Sequence, residues 1–372
     1  MSPRNERSRR PKKENYFDYS LLFIIIFLIC FGLVMLYSTS SYNGQIKANG
    51  DSAFYLKKQL TATILGLIAM MIIARIDYHF WERFTLLAFL LSHVLSAAVL
   101  FVGSDFNGSK RWLKIGPLSF QPSEFAKLAV ILFLALVISK VSKKIKQFRT
   151  MLLVITLCGP IVALVGVNNL STAIIILGIA VILIFVASPK YLQFILIGVG
   201  GIAFMGIFIY LEQYRAERLK IWLNPEDFDK GYQTLQGLYA IGSGGILGKG
   251  LGQSMQKLGF VPEAQNDMIF SIICEELGLF GAVCLILLFM LMIWRFMIIA
   301  NNAPDLYGAL IVVGIMGHIA LQVILNIAVV TNSIPNTGIT LPFISYGGTS
   351  ALFLLSEMGL ALSVSRQVKL EK

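Results

Sequence analysis

The feature that most constrains the fold is a series of apolar runs, each long enough to cross a lipid bilayer. A transmembrane helix needs about 20 mainly apolar residues. Ten such runs lie at residues 17–38, 58–75, 84–103, 122–139, 150–167, 170–188, 190–211, 267–295, 306–330 and 347–365. Only 14% of the 372 residues are charged, whereas soluble domains contain about 25%. The sequence therefore predicts an all-α polytopic membrane protein with ten transmembrane helices.

The basic residues indicate how these helices cross the membrane. Ten spans place both termini on one side, and that side holds more than half of the 31 lysines and arginines, most of them in segments 1–16 and 140–149. Because cytoplasmic loops are enriched in Lys and Arg, we expect both termini in the cytoplasm. The net charge of +11 then reflects topology and contact with membrane lipids, and it gives no reason to expect nucleic acid as a partner.

A single membrane domain is predicted at residues 17–366, between a basic cytoplasmic arm at 1–16 and a cytoplasmic tail at 367–372. Its largest connection, residues 212–266, joins the seventh and eighth spans on the extracytoplasmic side. Structureless loops beyond about 15 residues are uncommon. The aromatic and aliphatic residues of this loop have the spacing of short amphipathic helices at the membrane interface, so we expect the loop to be structured.

The cysteines and histidines give no sign of a metal site. The four cysteines lie in apolar segments without a C-x-x-C spacing, at Cys30, Cys158, Cys274 and Cys284. Such cysteines are typical of small hydrophobic core residues. The three histidines are far apart in the sequence, and we expect neither a disulfide framework nor a zinc site.

The stretch YAIGSGGILGKGLGQS at residues 239–254 combines many glycines with Lys249. It does not match the P-loop, which requires Gly where Ser243 stands and Ser or Thr where Gly250 stands. A glycine-rich backbone with exposed N–H groups and one lysine can still hold a phosphate. A flexible hinge between interfacial helices explains the glycines equally well, and both interpretations stay open.

Residues 107–130 carry basic side chains and then a charge pair. Arg111 and Lys114 flank Trp112 just outside the fourth span, a pattern typical of interface anchors. Glu124 and Lys127 follow at a spacing of three, on one helix face and in the favourable order. Such a pair offsets the cost of each charge in a membrane, so a structural ion pair is at least as well supported as a catalytic one.

The segment NSIPNTGITLPFISYGGTSALF at residues 332–353 leads into the last span. Its Ser345, Gly347 and Gly348 lie just before a helix N-terminus, where backbone donors and hydroxyls point toward any nearby anion. Plain helix capping is the alternative, because Ser and Thr are preferred N-cap residues in any case.

Three carboxylates, Asp267, Glu275 and Glu276, lie along the eighth span. A charge at the centre of a lipid-embedded helix costs at least about 2.5–3.5 kcal/mol. At 100° per residue, Glu275 lies about 80° around the helix from Asp267, and Glu276 is nearly opposite. The three acids therefore cannot form one cluster, and we expect the glutamates to face the bundle or a wet cavity. Asp267 then stands alone at the outer mouth, as a helix cap or as a single general base.

Four segments in this order resemble the SEDS family (shape, elongation, division and sporulation) over nearly the whole chain. They are GSKRW…QPSEFAKL, YAIGSGGILGKGLGQS, KLGFVPEAQNDMIFSIICEELG and TGITLPFISYGGTS. Within the family, GLGQSMQK, the PEA before Asp267 and the LPF before ISYGG are similar to the division and sporulation members and differ from the elongation members.

The resemblance implies a peptidoglycan glycosyltransferase of the bacterial cytoplasmic membrane, which polymerises lipid II on the outer face. It also implies a class B penicillin-binding protein that crosslinks the strands, and other division proteins, as partners. The essential acid of the family falls on Asp267, the base of one inverting displacement. The leaving undecaprenyl pyrophosphate needs positive charge or backbone donors. The candidates are Arg111, Lys114, Arg218, Lys249, Ser345, Gly347, Gly348 and a bound Mg²⁺ or Mn²⁺.

The chain departs from the family pattern in two places. Gln265-Asn266 stands where many members have His-Thr, which excludes a catalytic histidine there. The stretch VNNLST, with Asn169 and Ser171, stands where many members have an acidic residue between the fifth and sixth spans. A mechanism that requires a carboxylate in this hairpin would fail for this chain.

Two other classes of function remain open. A transporter that moves lipid II across the membrane would depend most on Glu124, Lys127, Glu275 and Glu276, and little on Asp267. A non-catalytic scaffold for the transpeptidase would tolerate replacement of all these polar residues and would depend on the outer helix surfaces. The amphipathic pattern of the outer loop and the single carboxylate at its end, Asp267, favour the enzyme.

Overall fold

The computed structural model describes residues 17–106, 109–115, 118–188, 190, 192–195, 198–199 and 219–368, and this part of the chain is mostly helical. Its principal helices are α1 (Tyr19–Lys47), α2 (Phe54–Arg75), α3 (Thr85–Val102), α4 (Pro122–Lys140), α5 (Phe148–Asn168), α6 (Leu170–Ala187), α7 (Tyr232–Gly244), α8 (Ile269–Asn301), α9 (Leu306–Val330) and α10 (Gly348–Gln367). Within the described residues, nine helices, all of these except α7, are long and apolar enough to span a membrane. The predicted seventh span, residues 190–211, lies largely outside the described residues, so the total of ten stays a prediction.

Local sequence signals fix where several spans begin. The side chains of Asp18, Asn169 and Asp305 cap α1, α6 and α9, and each accepts a hydrogen bond from a backbone N–H three residues further on. Such caps satisfy backbone donors that have no partner inside the helix. Pro122 is the first residue of α4, where a missing N–H costs nothing. The described spans therefore begin close to the predicted positions, whereas α1 continues to Lys47 and α8 to Asn301, beyond the predicted ends at 38 and 295.

The two ends of the helical bundle differ chemically. At one end, the side chain of Asn43 near the end of α1 donates to that of Gln265, 3.0 Å away, just before α8. At the other end, Arg295 of α8 pairs with the buried carboxylate of Asp18 at 2.7 Å. This second end also carries the basic residues Arg75, Lys140, Lys143, Lys144, Lys146, Arg149 and Arg366.

A small antiparallel sheet between α3 and α4 was not predicted from the sequence. Its strands β1 (Ser104–Phe106), β2 (Ser109–Ile115) and β3 (Leu118–Phe120) lie in the order β1-β2-β3. The Thr349 hydroxyl near the start of α10 donates to the Ser119 carbonyl at 2.7 Å. The sheet therefore lies at the same end of the bundle as Gln265.

The described part of the large loop, residues 219–266, contains the helix α7, which packs on the first half of α8. The buried face of α7 consists of small residues, Thr234, Gly237, Ala240 and Gly244. A Cβ atom at Gly244 would lie 2.0 Å from the carbonyl oxygen of Cys274, so the two backbones are in direct contact. This close packing holds α7 beside the beginning of α8.

The glycine-rich loop that follows α7 fills a break in α8 at Gly278, whose φ is +68°. Backbone hydrogen bonds of 2.9–3.0 Å join Leu279 to Gly245, Phe280 to Ile246, Lys249 to Glu275, and Gly250 to Glu276. The peptide groups that the break releases from the helix are thus paired inside the protein. Irregular backbone at membrane depth requires such pairing.

Candidate functional site

Asp267 lies in the turn immediately before α8 and is only 9% exposed. The N-cap position of α8 is occupied by Met268, where no side-chain capping bond forms. The Asp267 Oδ1 is 3.5 Å from the amide nitrogen of Gln233 in the first turn of α7. The close packing of α7 on α8 therefore places an amide donor beside this carboxylate.

The electrostatic environment of Asp267 favours its protonated form. The pKa of Asp267 is raised from 3.8 to about 7, chiefly by burial and also by the nearby Glu263 carboxylate, against the opposing effect of hydrogen bonds from the backbone and from the Gln233 amide. Removal of water from a carboxylate disfavours its charged form. A pKa close to neutral pH is what a general base needs, because the group can then both accept and release a proton.

A segment without regular secondary structure, residues 335–341, lies beside Asp267 and is called the Gly338 wall. Asn336 donates through its side-chain nitrogen to the oxygen of the Gln233 amide at 3.1 Å and accepts from the Gly338 N–H at 3.1 Å. Gly338 has a φ of +67°, and a Cβ there would lie 3.9 Å from the Asp267 carboxylate. The carboxylate is thus framed by α7 on one side and by this segment on the other.

The residues predicted before the last span lie next to this frame. The Ser345 hydroxyl donates to the Asn266 carbonyl at 2.6 Å and accepts from the Leu341 N–H at 2.8 Å. The Gly347 N–H donates to the side chain of Gln59 at 3.0 Å. Gly348 begins α10. These contacts hold the chain beside Asp267, and a substrate contact by any of the three residues stays a prediction.

Glu275 lies on α8 and binds the glycine-rich loop. Its carboxylate is 2.6 Å from the Lys249 ammonium, which is 35% exposed, and it also accepts from the Ser254 hydroxyl and the Met255 N–H. The donor groups of the loop thus bind the Glu275 carboxylate and the backbone carbonyls at the break in α8. Binding of the pyrophosphate by Lys249 stays a prediction, and it would require that the ammonium be shared with Glu275.

Glu276 faces the other side of α8 and binds different partners. It is fully buried and forms an ion pair of 2.7 Å with Lys257. The Ser38 hydroxyl of α1 donates to the same carboxylate at 2.7 Å and accepts from the Lys257 ammonium at 2.9 Å. The prediction that the three acids of this region do not form one cluster is therefore correct, because each has its own surroundings.

A second polar network lies inside the bundle. The predicted pair of Glu124 and Lys127 is present at 2.9 Å, and the Lys127 ammonium reaches the Gln322 oxygen at 3.3 Å. His318 lies 2.8 Å from that same oxygen and 2.8 Å from the carboxylate of Glu357. This network joins α4, α9 and α10, so the ion pair has a structural role whether or not it also has a mechanistic one.

The predicted basic ligands differ in their positions. Arg111 donates to the Asn168 carbonyl at 2.9 Å, which ties β2 to the end of α5. Lys114 is exposed on β2. Arg218 lies outside the described residues. Neither described residue contacts the Asp267 carboxylate directly, so their binding of a phosphate stays a prediction.

The hairpin between α5 and α6 reaches the site without a carboxylate. Asn169 caps α6, and the Ser171 hydroxyl donates to the Thr337 carbonyl at 2.9 Å, one residue before Gly338. Where many family members have an acidic residue, this chain thus has the Ser171 hydroxyl, which binds the segment beside Asp267.

Sequence reasoning missed several residues that shape the site, chiefly Gln233 and Lys257 in the outer loop and the α9 residues His318, Gln322 and Asn326. The α9 residues carry a recognisable signal, because polar side chains at a spacing of four in an apolar span lie on one helix face. Gln233 and Lys257 had no such local signal, because their partners are distant in the sequence.

No described group of three or more His, Cys, Asp or Glu side chains is arranged to hold a metal ion. Mg²⁺ usually binds through one or two carboxylates together with substrate phosphates and waters. Binding of a divalent cation by this chain therefore stays a prediction.

The comparison with protein families assigns the chain to a group. The family model described as "Cell cycle protein", FTSW_RODA_SPOVE, matches residues 19–370. The match covers the membrane bundle, the outer loop and Asp267 together. The chain belongs to the FtsW/RodA/SpoVE family of cell-cycle proteins. This agrees with the resemblance of its four sequence segments to the SEDS family.

Individual relatives agree with this assignment. The chain is 41% identical to "Stage V sporulation protein E" of Bacillus subtilis over 94% of this chain and 97% of that protein. It is 35% identical to "Probable peptidoglycan glycosyltransferase FtsW" of a Geobacter species, over 95% and 98%. It is 38% identical to the protein of that name in B. subtilis, over 95% and 91%.

Solved structures share the fold. A chain of a peptidoglycan synthase complex that coordinates polymerization and crosslinking is 28% identical, with a TM-score of 0.80, over 95% of this chain and 98% of that one. The rod shape determining protein RodA of Thermus thermophilus is 27% identical, with a TM-score of 0.69, over 95% and 98%. The chain is therefore a multi-pass membrane protein with the architecture of these proteins.

Proposed function

We propose that this protein is a peptidoglycan glycosyltransferase that polymerises lipid II, with Asp267 as its general base. The observation that carries the proposal is a buried carboxylate that lies between α7 and Gly338 at one end of a membrane bundle, where burial raises its pKa to about 7. The name of the FtsW relatives, peptidoglycan glycosyltransferase, supports the same chemistry. Septal and spore wall synthesis are both consistent with these relatives.

The reaction needs one base. Lipid II carries its sugar through an α-linked pyrophosphate, and the polymer has a β-1,4 linkage, so a single inverting displacement suffices. Asp267 takes the proton from the 4-hydroxyl of the acceptor sugar as its oxygen bonds to the anomeric carbon of the donor. The bond from that carbon to the pyrophosphate oxygen breaks, and undecaprenyl pyrophosphate leaves with the electron pair.

The leaving group needs stabilisation of its negative charge. Lys114, Arg111 and Lys249 lie on elements at the Asp267 end of the bundle, and Arg218 belongs to the same outer loop. A divalent cation, Mg²⁺ or Mn²⁺, bound to the substrate phosphates would supply this charge. Chelation with EDTA would then abolish polymerisation, and added Mg²⁺ or Mn²⁺ would restore it.

The proposal places Asp267 on the outer face of the cytoplasmic membrane, with both termini in the cytoplasm. The basic residues at the opposite end of the bundle support this orientation. A class B penicillin-binding protein is the proposed partner, because the structural relative belongs to a complex that coordinates polymerization with crosslinking. Other division proteins would contact the remaining surface.

The proposal is tested by polymerisation of labelled lipid II by the purified full-length chain, alone and with its transpeptidase. We expect glycan strands from the wild type and none from Asp267→Asn, which is nearly isosteric and cannot accept the proton. Strands from both would remove Asp267 from the mechanism. If neither makes strands, even with the partner and divalent metal, a transporter or scaffold would explain the protein better, and transport of fluorescent lipid II in vesicles would distinguish these two.

A further inference from the structure

One buried amide holds the peptide that carries Asp267. Asn326 of α9 is 0% exposed, and its Nδ2 donates to the carbonyl oxygen of Asp267 at 2.8 Å and to that of Ile339 at 2.6 Å. The two acceptors belong to different segments. One is the turn before α8, and the other is the Gly338 wall, residues 335–341, before α10. A single side chain therefore sets the separation of the two segments that frame the carboxylate.

The position of this wall matters for the carboxylate itself. Ile339 follows Gly338, the residue whose α-carbon faces the Asp267 side chain. A second amide one helical turn earlier, that of Gln322, donates to the Thr340 carbonyl at 3.0 Å. The wall is thus held along two consecutive residues by two amides on one face of α9, and only Asn326 also reaches Asp267.

The chemistry of the contact requires an amide donor. The NH₂ group of Asn offers two N–H donors, and both are directed to carbonyl oxygens that are buried with it. An apolar side chain of the same size would leave two buried acceptors without partners, and a carboxylate would place further acceptors against them. In neither case would the site keep its present geometry.

We propose that Asn326 is a positioning residue for Asp267, which fixes the carboxylate against the Gly338 wall through the peptide backbone. Asn326 does not touch the reacting atoms, and its effect passes through the Asp267 carbonyl. This inference rests on the proposed role of Asp267 as base. A displacement of about 1 Å at a reacting group lowers the rate by about 100-fold, so loss of the two hydrogen bonds acts on turnover more than on substrate binding.

The test compares wild type with Asn326→Leu and Asn326→Asp in polymerisation of labelled lipid II by the full-length protein. We expect kcat to fall about 100-fold and KM to stay within about threefold. The acidic limb of the pH–rate profile should also move to lower pH, because a displaced Asp267 carboxylate gains access to water. Ser356→Ala is the matched control, since Ser356 is buried on α10 and donates only to the Leu352 carbonyl of its own helix.

Asn326→Asp keeps the shape of the side chain, and thermal unfolding of each variant identifies any that do not fold. A folded variant with the wild-type kcat and acidic limb would overturn the inference. A fall in kcat with an unmoved acidic limb would leave only a structural role for Asn326.

Asp267→Asn in the same assay separates this inference from the proposed function. If Asp267→Asn polymerises normally, the base assignment itself fails. If Asp267→Asn is inactive while both folded Asn326 variants are normal, only the positioning role fails.

Discussion

At the scale of single residues, Asp267 shows how burial serves chemistry and costs stability at the same time. The packing of α7 and the Gly338 wall excludes water from the carboxylate, and this exclusion raises its pKa to about 7. The same environment that suits the carboxylate to its proposed role as a base near neutral pH disfavours its charged form in the folded protein.

The pH dependence of stability follows from this pKa. Between pH 3.8 and about 7 the folded protein holds a proton on Asp267 that the unfolded chain has released, so the free energy of unfolding falls as the pH rises through this window. Asp267→Asn does not titrate. We expect it to raise the melting temperature more at pH 8 than at pH 5, as measured by thermal unfolding in lipid nanodiscs. An increase that is equal at both pH values would contradict the assigned environment.

At the scale of elements, the carboxylates of α8 explain how an irregular loop can lie against a membrane helix. Glu275 and Glu276 anchor Lys249 and Lys257, and the break at Gly278 receives the loop backbone. The spacing of the acids along the helix was enough to predict that they point in different directions. The identity of their partners was not predictable, because the lysines lie some twenty residues away in a loop whose path depends on tertiary packing.

Removal of one partner of the buried pair should be costly. Lys257→Ala leaves the Glu276 carboxylate buried without its cation, and loss of one partner of such a pair costs about 3–5 kcal/mol. The double substitution Lys257→Met with Glu276→Gln removes both charges and should recover most of this loss. Lys57→Ala is the control, since its pair with Asp51 is exposed to solvent and exposed ion pairs contribute little to stability. Thermal unfolding measures all three, and equal losses for Lys257→Ala and the double variant would argue against the pair.

The glycines of the loop should differ sharply in their tolerance of a side chain. Gly248 has a φ of +78°, and a Cβ there would lie 2.2 Å from the Glu276 carbonyl oxygen. Gly242 is helical, and nothing lies within 4 Å of a Cβ at that position. We expect Gly248→Ala to lower the melting temperature clearly and Gly242→Ala to leave it unchanged or raise it, because Ala favours helix by about 0.5–1 kcal/mol. Similar behaviour of the two variants would indicate that the loop does not pack into the break.

At the scale of the whole molecule, the sequence predicted the membrane class and where the described spans begin, because bilayer thickness imposes a length that hydropathy reveals directly. The sheet between α3 and α4 was missed, because its strands are short and the polar connection that contains them shows little alternation of apolar and polar residues. The cross-bundle contacts of Asn326 and Ser171 were missed as well, because they join segments that are far apart in the sequence.

The orientation of the molecule is tested by labelling. In a cysteine-free background, Lys47→Cys lies at the Asp267 end of the bundle and Lys144→Cys lies at the basic end. A membrane-impermeant maleimide applied to intact spheroplasts should label Lys47→Cys at once and Lys144→Cys only after permeabilisation. The reverse pattern would place Asp267 in the cytoplasm and exclude polymerisation on the outer face.

The central claim is that Asp267 accepts the proton in glycan polymerisation, and the pH–rate profile of the wild-type protein tests it most directly. At saturating lipid II, the rate should increase tenfold per pH unit below the pKa of Asp267, about 7, and level off above it. A rate that does not change between pH 5 and pH 8, with the protein folded throughout, would contradict the assignment of Asp267 as the base.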